Sequence, residues 1–286
     1  MMDLLAIVWN PDPVAFSIGP VSVRWYGLIY ATGFLIAVTI LARIFKHDKC
    51  PDDWADKYFI YMVIAVVVGS RLGHVFFYDW AYYKDHLLEI FQVWKGGLAS
   101  HGGTIAILLT VWLMAKYMCK KPFLWLADRS FVICSVVASM IRIGNLMNSE
   151  IYGCETSLPW AFKFVRDFPS VPVELVPACH PTQIYESLAY LSLFALLMWM
   201  YWRTDAAKKQ GLLTGVGFTW LFVARFLIEF IKNDQSDFEA GMVLNMGQLL
   251  SIPFILLGIG LLVYVWRSNR TESAAKKLET DQVQHK

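Results

Sequence analysis

Seven blocks of apolar residues, each long enough to cross a bilayer as one helix, alternate along the chain with short polar connections. They fall at about 22–42, 57–78, 99–117, 125–146, 184–202, 212–232 and 246–266. Each is close to the roughly 20 residues that a helix needs to cross ~30 Å of hydrocarbon. Inside lipid, a spanning segment must satisfy its own backbone hydrogen bonds, so all seven are predicted to be helices. The expected fold is an all-α membrane protein with a single polytopic domain over 1–266. Its one long connection, 148–182, forms a small head, and a polar tail over 267–286 is expected to lack order at its end.

Lys and Arg in the connections set the orientation. One set of connections, with the tail, carries fifteen and the opposite set only four: Lys84, Lys95, Lys163 and Arg166. The positive-inside bias makes the richer set cytoplasmic. The N-terminus and the 148–182 head then face the periplasm, and the C-terminus the cytoplasm. The first twenty residues hold Asp3 and Asp12 and no Lys or Arg, so no positive leader region is seen and the first span is expected to direct insertion itself.

Composition agrees with a lipid solvent. The 286 residues are 57% hydrophobic and 17% charged, against about 25% charged in ordinary soluble domains. A net charge of +2 offers no bulk attraction for nucleic acid.

Charge becomes informative where it breaks the pattern. Arg24, Arg71, Arg142, Arg225 and Lys232 sit in spans or at their ends, all toward the outer side. A cation within a span costs at least ~2.5–3.5 kcal/mol on insertion scales. Carboxylates or the phosphate of a lipid headgroup would offset that cost.

Arg142 and Asn145 are three apart and share a helix face. Gly144 between them admits a close neighbour, and Asn148 and Glu150 follow. A guanidinium fork matches phosphate geometry. Arg225 and Glu229, four apart, form either a self-neutralising pair or a carboxylate holding an Arg toward a substrate. Arg71, followed by Gly73, His74 and Tyr78, suits a headgroup contact or a structural pairing equally. His101 is flanked by Gly96, Gly97, Gly102 and Gly103, which expose amides and let helices approach closely; an imidazole there suits a general base. Tyr26 opens the first span. In the run His180–Glu186, Thr182 suits a helix cap and Glu186 an Arg partner.

The six His show no metal-binding spacing, and there is no Cys-x-x-Cys. No metal or other cofactor is expected. Cys154 and Cys179 share the head, where an oxidising compartment permits a bridge. A Cys179–His180 dyad is disfavoured, because chain neighbours rarely point at each other.

Taken together, these runs resemble the prolipoprotein diacylglyceryl transferase family. The similarity runs from Phe16-Ser17-Ile18-Gly19-Pro20 to Met246-Gly247-Gln248-Leu249-Leu250-Ser251-Ile252-Pro253. The run Arg142-Ile143-Gly144-Asn145-Leu146-Met147-Asn148 looks like the family signature, and His101-Gly102-Gly103 and His180-Pro181-Thr182-Gln183-Ile184-Tyr185-Glu186 accompany it. The resemblance implies seven membrane helices, an outer head and no metal. It implies transfer of diacylglycerol from phosphatidylglycerol to the lipobox cysteine of a prelipoprotein in the bacterial inner membrane, with release of glycerol 1-phosphate.

Under this resemblance, Arg142 and Arg225 match essential arginines, and Tyr26, His101, Asn145, Glu150 and Glu229 match other functional positions. The expected assignment is therefore catalytic for Arg142, Arg225, His101 and Glu150. Substrate binding would involve Arg142, Arg225, Tyr26, Asn145, Gly144, Arg71 and Glu229. The expected partners are phosphatidylglycerol, the prelipoprotein signal peptide and membrane lipids. Four positions depart from the family: Ser149 stands where Gly is usual before the Glu, Leu221 where Tyr is common, Lys232 where Arg is common and Lys95 where an acidic residue is common. A rival reading, a transporter or flippase for an anionic lipid or solute, would place polar groups at the membrane midplane and beyond.

Overall fold

A computed structural model describes residues 6–233 and 241–284. For Val21, Lys95, Ser100 and residues 269 onward it describes the backbone alone. Asp3 and the C-terminal Lys286 lie outside the described residues. The chain opens with three short strands, β1 (Ile7–Trp9), β2 (Val14–Ile18) and β3 (Val21–Arg24). There follow α1 (Trp25–His47), α2 (Trp54–Phe77), a single turn α3 (Trp80–Tyr83) and α4 (Ser100–Leu113), which continues as a π-helical turn to Cys119. After α5 (Phe123–Met147) come β4 (Phe162–Phe164) and β5 (Ala178–Cys179), then α6 (Thr182–Arg203), α7 (Leu212–Ile228) and α8 (Met246–Gln284).

Among the described residues, seven helices are long and apolar enough to cross a membrane: Trp25–His47, Trp54–Phe77, His101–Cys119, Phe123–Met147, Thr182–Arg203, Leu212–Ile231 and Met246–Ser268. Each predicted span lies on one of them. The first begins three residues late because Val21–Arg24 pairs with β2 as a hairpin, which places Arg24 in a strand. In the polar tail α8 runs on as helix to Gln284, and the last two residues, where order is expected to be lost, lie outside the described residues. Residues 271–284 hold Ala, Lys, Leu, Glu and Gln, good helix formers that extend a helix already nucleated in the span.

Contacts divide the chain into two compact units, Met1–Ala37 with Phe131–Lys286, and Val38–Ser130. In the smaller unit α2 and α4 cross backbone to backbone. A Cβ on Gly102 would land on Gly69 and Gly73, and one on Gly103 would land on the Ser70 side chain. This small-residue crossing is how membrane helices gain dispersion contact when lipid offers no hydrophobic drive. Gly102 and Gly103 beside His101 are therefore accounted for by packing. At the other end of α2, the buried Phe45 ring stacks on Trp125 and meets Trp54 edge-on. Nearby, Arg129 Nε donates to Asp48 at 2.8 Å and its guanidinium lies over the Trp125 ring.

In the larger unit α7 and α8 approach at Gly215 and Gly258, beside a stack of Phe218, Phe222 and Phe254. The head is built on a three-stranded sheet of order β1-β4-β5. β1 pairs parallel with β4, and β4 pairs antiparallel with β5. Leu146, Phe162, Phe164 and Cys179 form its core, with Trp9, Tyr152 and Ile184 packed around them.

Candidate functional site

The larger unit brings together most of the site residues expected from sequence. α5 carries Arg142 and Asn145 on one face near its end. Arg142 Nη1 donates to Asn145 Oδ1 at 3.2 Å, and Asn145 Nδ2 donates to Glu150 Oε1 at 2.7 Å. Asn148 Nδ2 donates to the same Glu150 oxygen at 3.2 Å. Arg142, Asn145 and Glu150 are thus one connected chain of hydrogen bonds. The Tyr26 ring lies against Gly144, where a Cβ would overlap it. Gly144 therefore has a packing role that fixes Tyr26 beside Arg142.

Behind Arg142 lies a buried charge network. Arg142 Nε sits 3.0 Å from Oε2 of the fully buried Glu186, a contact of charge whose direction is not that of an aligned hydrogen bond. The Tyr190 hydroxyl donates to Glu186 Oε1 at 3.3 Å and also lies within hydrogen-bond reach of Arg142. Lys232 Nζ stands 3.4 Å from both Glu186 Oε1 and Glu229 Oε2. Two buried carboxylates therefore share one buried ammonium, and Arg142 balances the remaining charge. Buried ions are tolerable when paired in this way.

The local backbone explains why Lys232 turns inward. α7 stops at Ile228 and the chain tightens into a 3-10 turn over Glu229–Ile231. In that geometry residues three apart eclipse, so Glu229 meets Lys232. The expected Arg225–Glu229 ion pair is absent from the described structure. The Lys232 backbone pairs with Gly153 in an antiparallel bridge, and a Cβ on Gly153 would strike the Ile231 carbonyl. The Glu229 carboxylate lies against Gly247 in the first turn of α8, where unsatisfied N–H groups favour negative charge.

Arg225 is the exception. Half-buried on α7, it has no hydrogen bond or ion pair among the described residues. Its charge bears on Tyr190, as does that of Arg142. The two arginines therefore share a neighbour, and the donors of Arg225 meet no acceptor among the described residues.

Arg71 and His101 belong to the smaller unit. Arg71 is 3% exposed, and four main-chain carbonyls take its N–H groups: Glu89 at 2.6 Å, Gly96 at 2.7 Å, Ile90 at 2.8 Å and Gly97 at 3.4 Å. The Tyr83 ring covers its face. Of the two readings given above, the geometry is that of a structural brace for the 87–97 connection. His101 is exposed in the first turn of α4.

The cysteine expectation is corrected. Cys154 and Cys179 are both free thiols. Cys179 pairs across from Glu155, so the alternation of side chains along a strand sends Cys154 to the opposite face. Cys179 points into the head core, and burial pushes its thiol up to about 11; Cys154 is exposed. Neither thiol is placed for a bridge, and Cys179 is poorly suited to be a nucleophile.

Sequence reasoning missed Tyr190 and the role of Lys232. A signal for Tyr190 existed: Gln183, Glu186, Ser187 and Tyr190 are buried on α6, and their spacing of three or four marks one helix face. Polar residues on such a stripe in a span are informative.

A family model described as prolipoprotein diacylglyceryl transferase matches residues 13–264. A phosphatidylglycerol–prolipoprotein diacylglyceryl transferase of Porphyromonas gingivalis is 46% identical over 265 residues, covering 90% of this chain and 94% of the relative. One of Chloroherpeton thalassium is 43% identical over 253 residues, covering 88% and 92%. One of Bacteroides fragilis is 38% identical over 268 residues, covering 90% and 94%.

Proposed function

The chain belongs to the prolipoprotein diacylglyceryl transferase family, and on that premise we propose that it moves diacylglycerol from phosphatidylglycerol to the lipobox cysteine of prelipoproteins. In this reaction the cysteine sulfur attacks the diacylglycerol carbon that carries the phosphodiester oxygen. An S–C bond forms, that C–O bond breaks, and the electron pair leaves with glycerol 1-phosphate. The observation that carries our reading of the site is the guanidinium of Arg225, which has no partner among the described residues, beside the Arg142 network.

Negative charge grows on the departing phosphate, and donors fixed in advance stabilise it most. Arg142 is fixed by Glu186 and Asn145, and its five N–H donors exceed the partners it has here. Arg225 supplies donors that no group among the described residues occupies. Tyr26 and Asn145 border the headgroup, and Glu150 takes or relays the thiol proton. His101 is the alternative base, on its chemistry alone. Glu229 and Lys232 hold the network from behind, and Arg71 acts through the connection it braces. The chemistry faces the periplasmic side of the inner membrane, as the Lys and Arg bias orients the chain.

The test is to supply purified protein with phosphatidylglycerol labelled in its acyl chains and a lipobox peptide. Label appearing on the peptide as a thioether, with stoichiometric glycerol 1-phosphate, supports the proposal. Label that crosses a vesicle bilayer without reaching the peptide overturns it in favour of transport. In the same assay, His101→Gln with an unchanged rate and pH profile removes His101 as base.

A further inference from the structure

Glu150 follows a backbone that few residues adopt willingly. Ser149 has φ 56° and Ile151 φ 61°, so left-handed residues flank the glutamate on both sides. The conformation is unfavourable for any non-glycine residue, and most of all for a β-branched one. Ser149 is also fully buried, and its hydroxyl has no partner. Such a turn persists only where its surroundings over-determine it.

The surroundings do so through the main-chain carbonyls. Trp9 Nε1 donates to Leu146 O at 2.9 Å. Arg166 donates to Met147 O at 3.2 Å and also to Asn148 O. Gln183 Nε2 donates to Glu150 O at 2.7 Å, and Thr182 Oγ1 to Ile151 O at 2.9 Å. Side chains from the first strand, the turn after β4 and the start of α6 thus converge on five carbonyls between Leu146 and Ile151. Arg166 lies at the C-terminal end of α5, where a cation also complements the helix dipole. A third Arg166 contact, to Pro11 O at 3.3 Å, ties the N-terminal segment into the same collar. The product of this bracing is the direction of the Glu150 side chain, whose carboxylate faces Asn145 and Asn148.

We propose that Arg166 and Gln183 are positioning residues for the transfer reaction, holding the strained Asn148–Ile151 turn that presents Glu150 to Asn145 and Arg142. Neither residue touches Glu150's carboxylate; both act on the backbone that carries it. The inference rests on the reading of Glu150 as a participant in proton transfer. It also gives the head a purpose, since β1, the turn after β4 and the start of α6 each contribute a donor to the same turn.

The test compares Gln183→Met, Arg166→Met, Arg166→Lys and Glu150→Gln in steady-state transfer assays on purified protein, alongside thermal unfolding. Misplacing a reacting group by about 1 Å can cost up to ~10²-fold in rate. Gln183→Met and Arg166→Met are expected to lower kcat by about 10-fold or more, with KM for phosphatidylglycerol changed less than about 2-fold. Arg166→Lys, which keeps a cation near the same carbonyls, is expected to recover part of the loss. If Arg166→Met does not fold, Gln183→Met carries the test. An unchanged kcat in Gln183→Met, with Glu150→Gln inactive, overturns the inference and leaves the role of Glu150 standing. So does a loss that appears in KM, or one that matches the unfolded fraction. A normal rate in Glu150→Gln removes both.

Discussion

Two arginines in this molecule are buried to different ends. In the smaller unit, Arg71 is closed: four carbonyls and a tyrosine ring surround it. In the larger unit, Arg142 is held from one side by a carboxylate and an amide, and its neighbour Arg225 is bound to nothing described. Both units bring guanidinium groups into apolar helices at considerable cost. In one, main-chain acceptors offset that cost, and the result is a shaped connection. In the other, the Arg225 donors have no partner among the described residues, and under the proposed function they are left for an anion. The comparison shows that a buried Arg becomes informative about function through the donors it has left over.

The largest effect that separates the two units should come from Arg225→Ala and Arg142→Ala. Each is expected to lower kcat/KM for transfer by ~10²-fold or more, and Arg225→Ala should do so with its melting temperature close to that of the parent. A large drop in stability in Arg225→Ala would erase the contrast with Arg71. Arg71→Ala should instead leave several buried carbonyls unpaired and cost about 3 kcal/mol of stability, read by thermal or denaturant unfolding. Arg71→Lys should recover little of it, because one ammonium cannot reproduce the planar fork. A next, smaller effect tests whether the glycines beside His101 serve packing. Gly102→Ala places a methyl on the backbone of Gly69 and Gly73, and should destabilise by about 1–3 kcal/mol. A neutral result would return the His-Gly-Gly run to a role in the site. The smallest effect has the opposite sign: Ser149→Gly should raise stability by about 1 kcal/mol, by removing an unfavourable φ and an unpartnered hydroxyl.

The spans were legible because hydrocarbon thickness imposes a length on each apolar block, and the helix ends fall within a few residues of those blocks. The strands were not. They are two to five residues long, and β1 finds its partner β4 far along the chain, a pairing that leaves no local pattern. Arg142 stood out as a charge in an apolar run, and Glu186 as a carboxylate at a span's edge. The Glu229–Lys232 pair was hidden by the change from α to 3-10 geometry, which turns i,i+4 logic into i,i+3. Arg166 and Gln183 were invisible for another reason. They act on backbone carbonyls, which every residue possesses. Ser149 was noticed only as a departure from a usual glycine; its positive φ supplies the reason that glycine is usual there.

The central claim is that the donors of Arg225 and Arg142 hold the phosphate of an anionic lipid. An experimental structure with phosphatidylglycerol bound tests it most directly. The account predicts headgroup phosphate oxygens within about 3 Å of N–H groups on both guanidiniums. A phosphate held elsewhere, with Arg225 turned to a protein carboxylate, would contradict it.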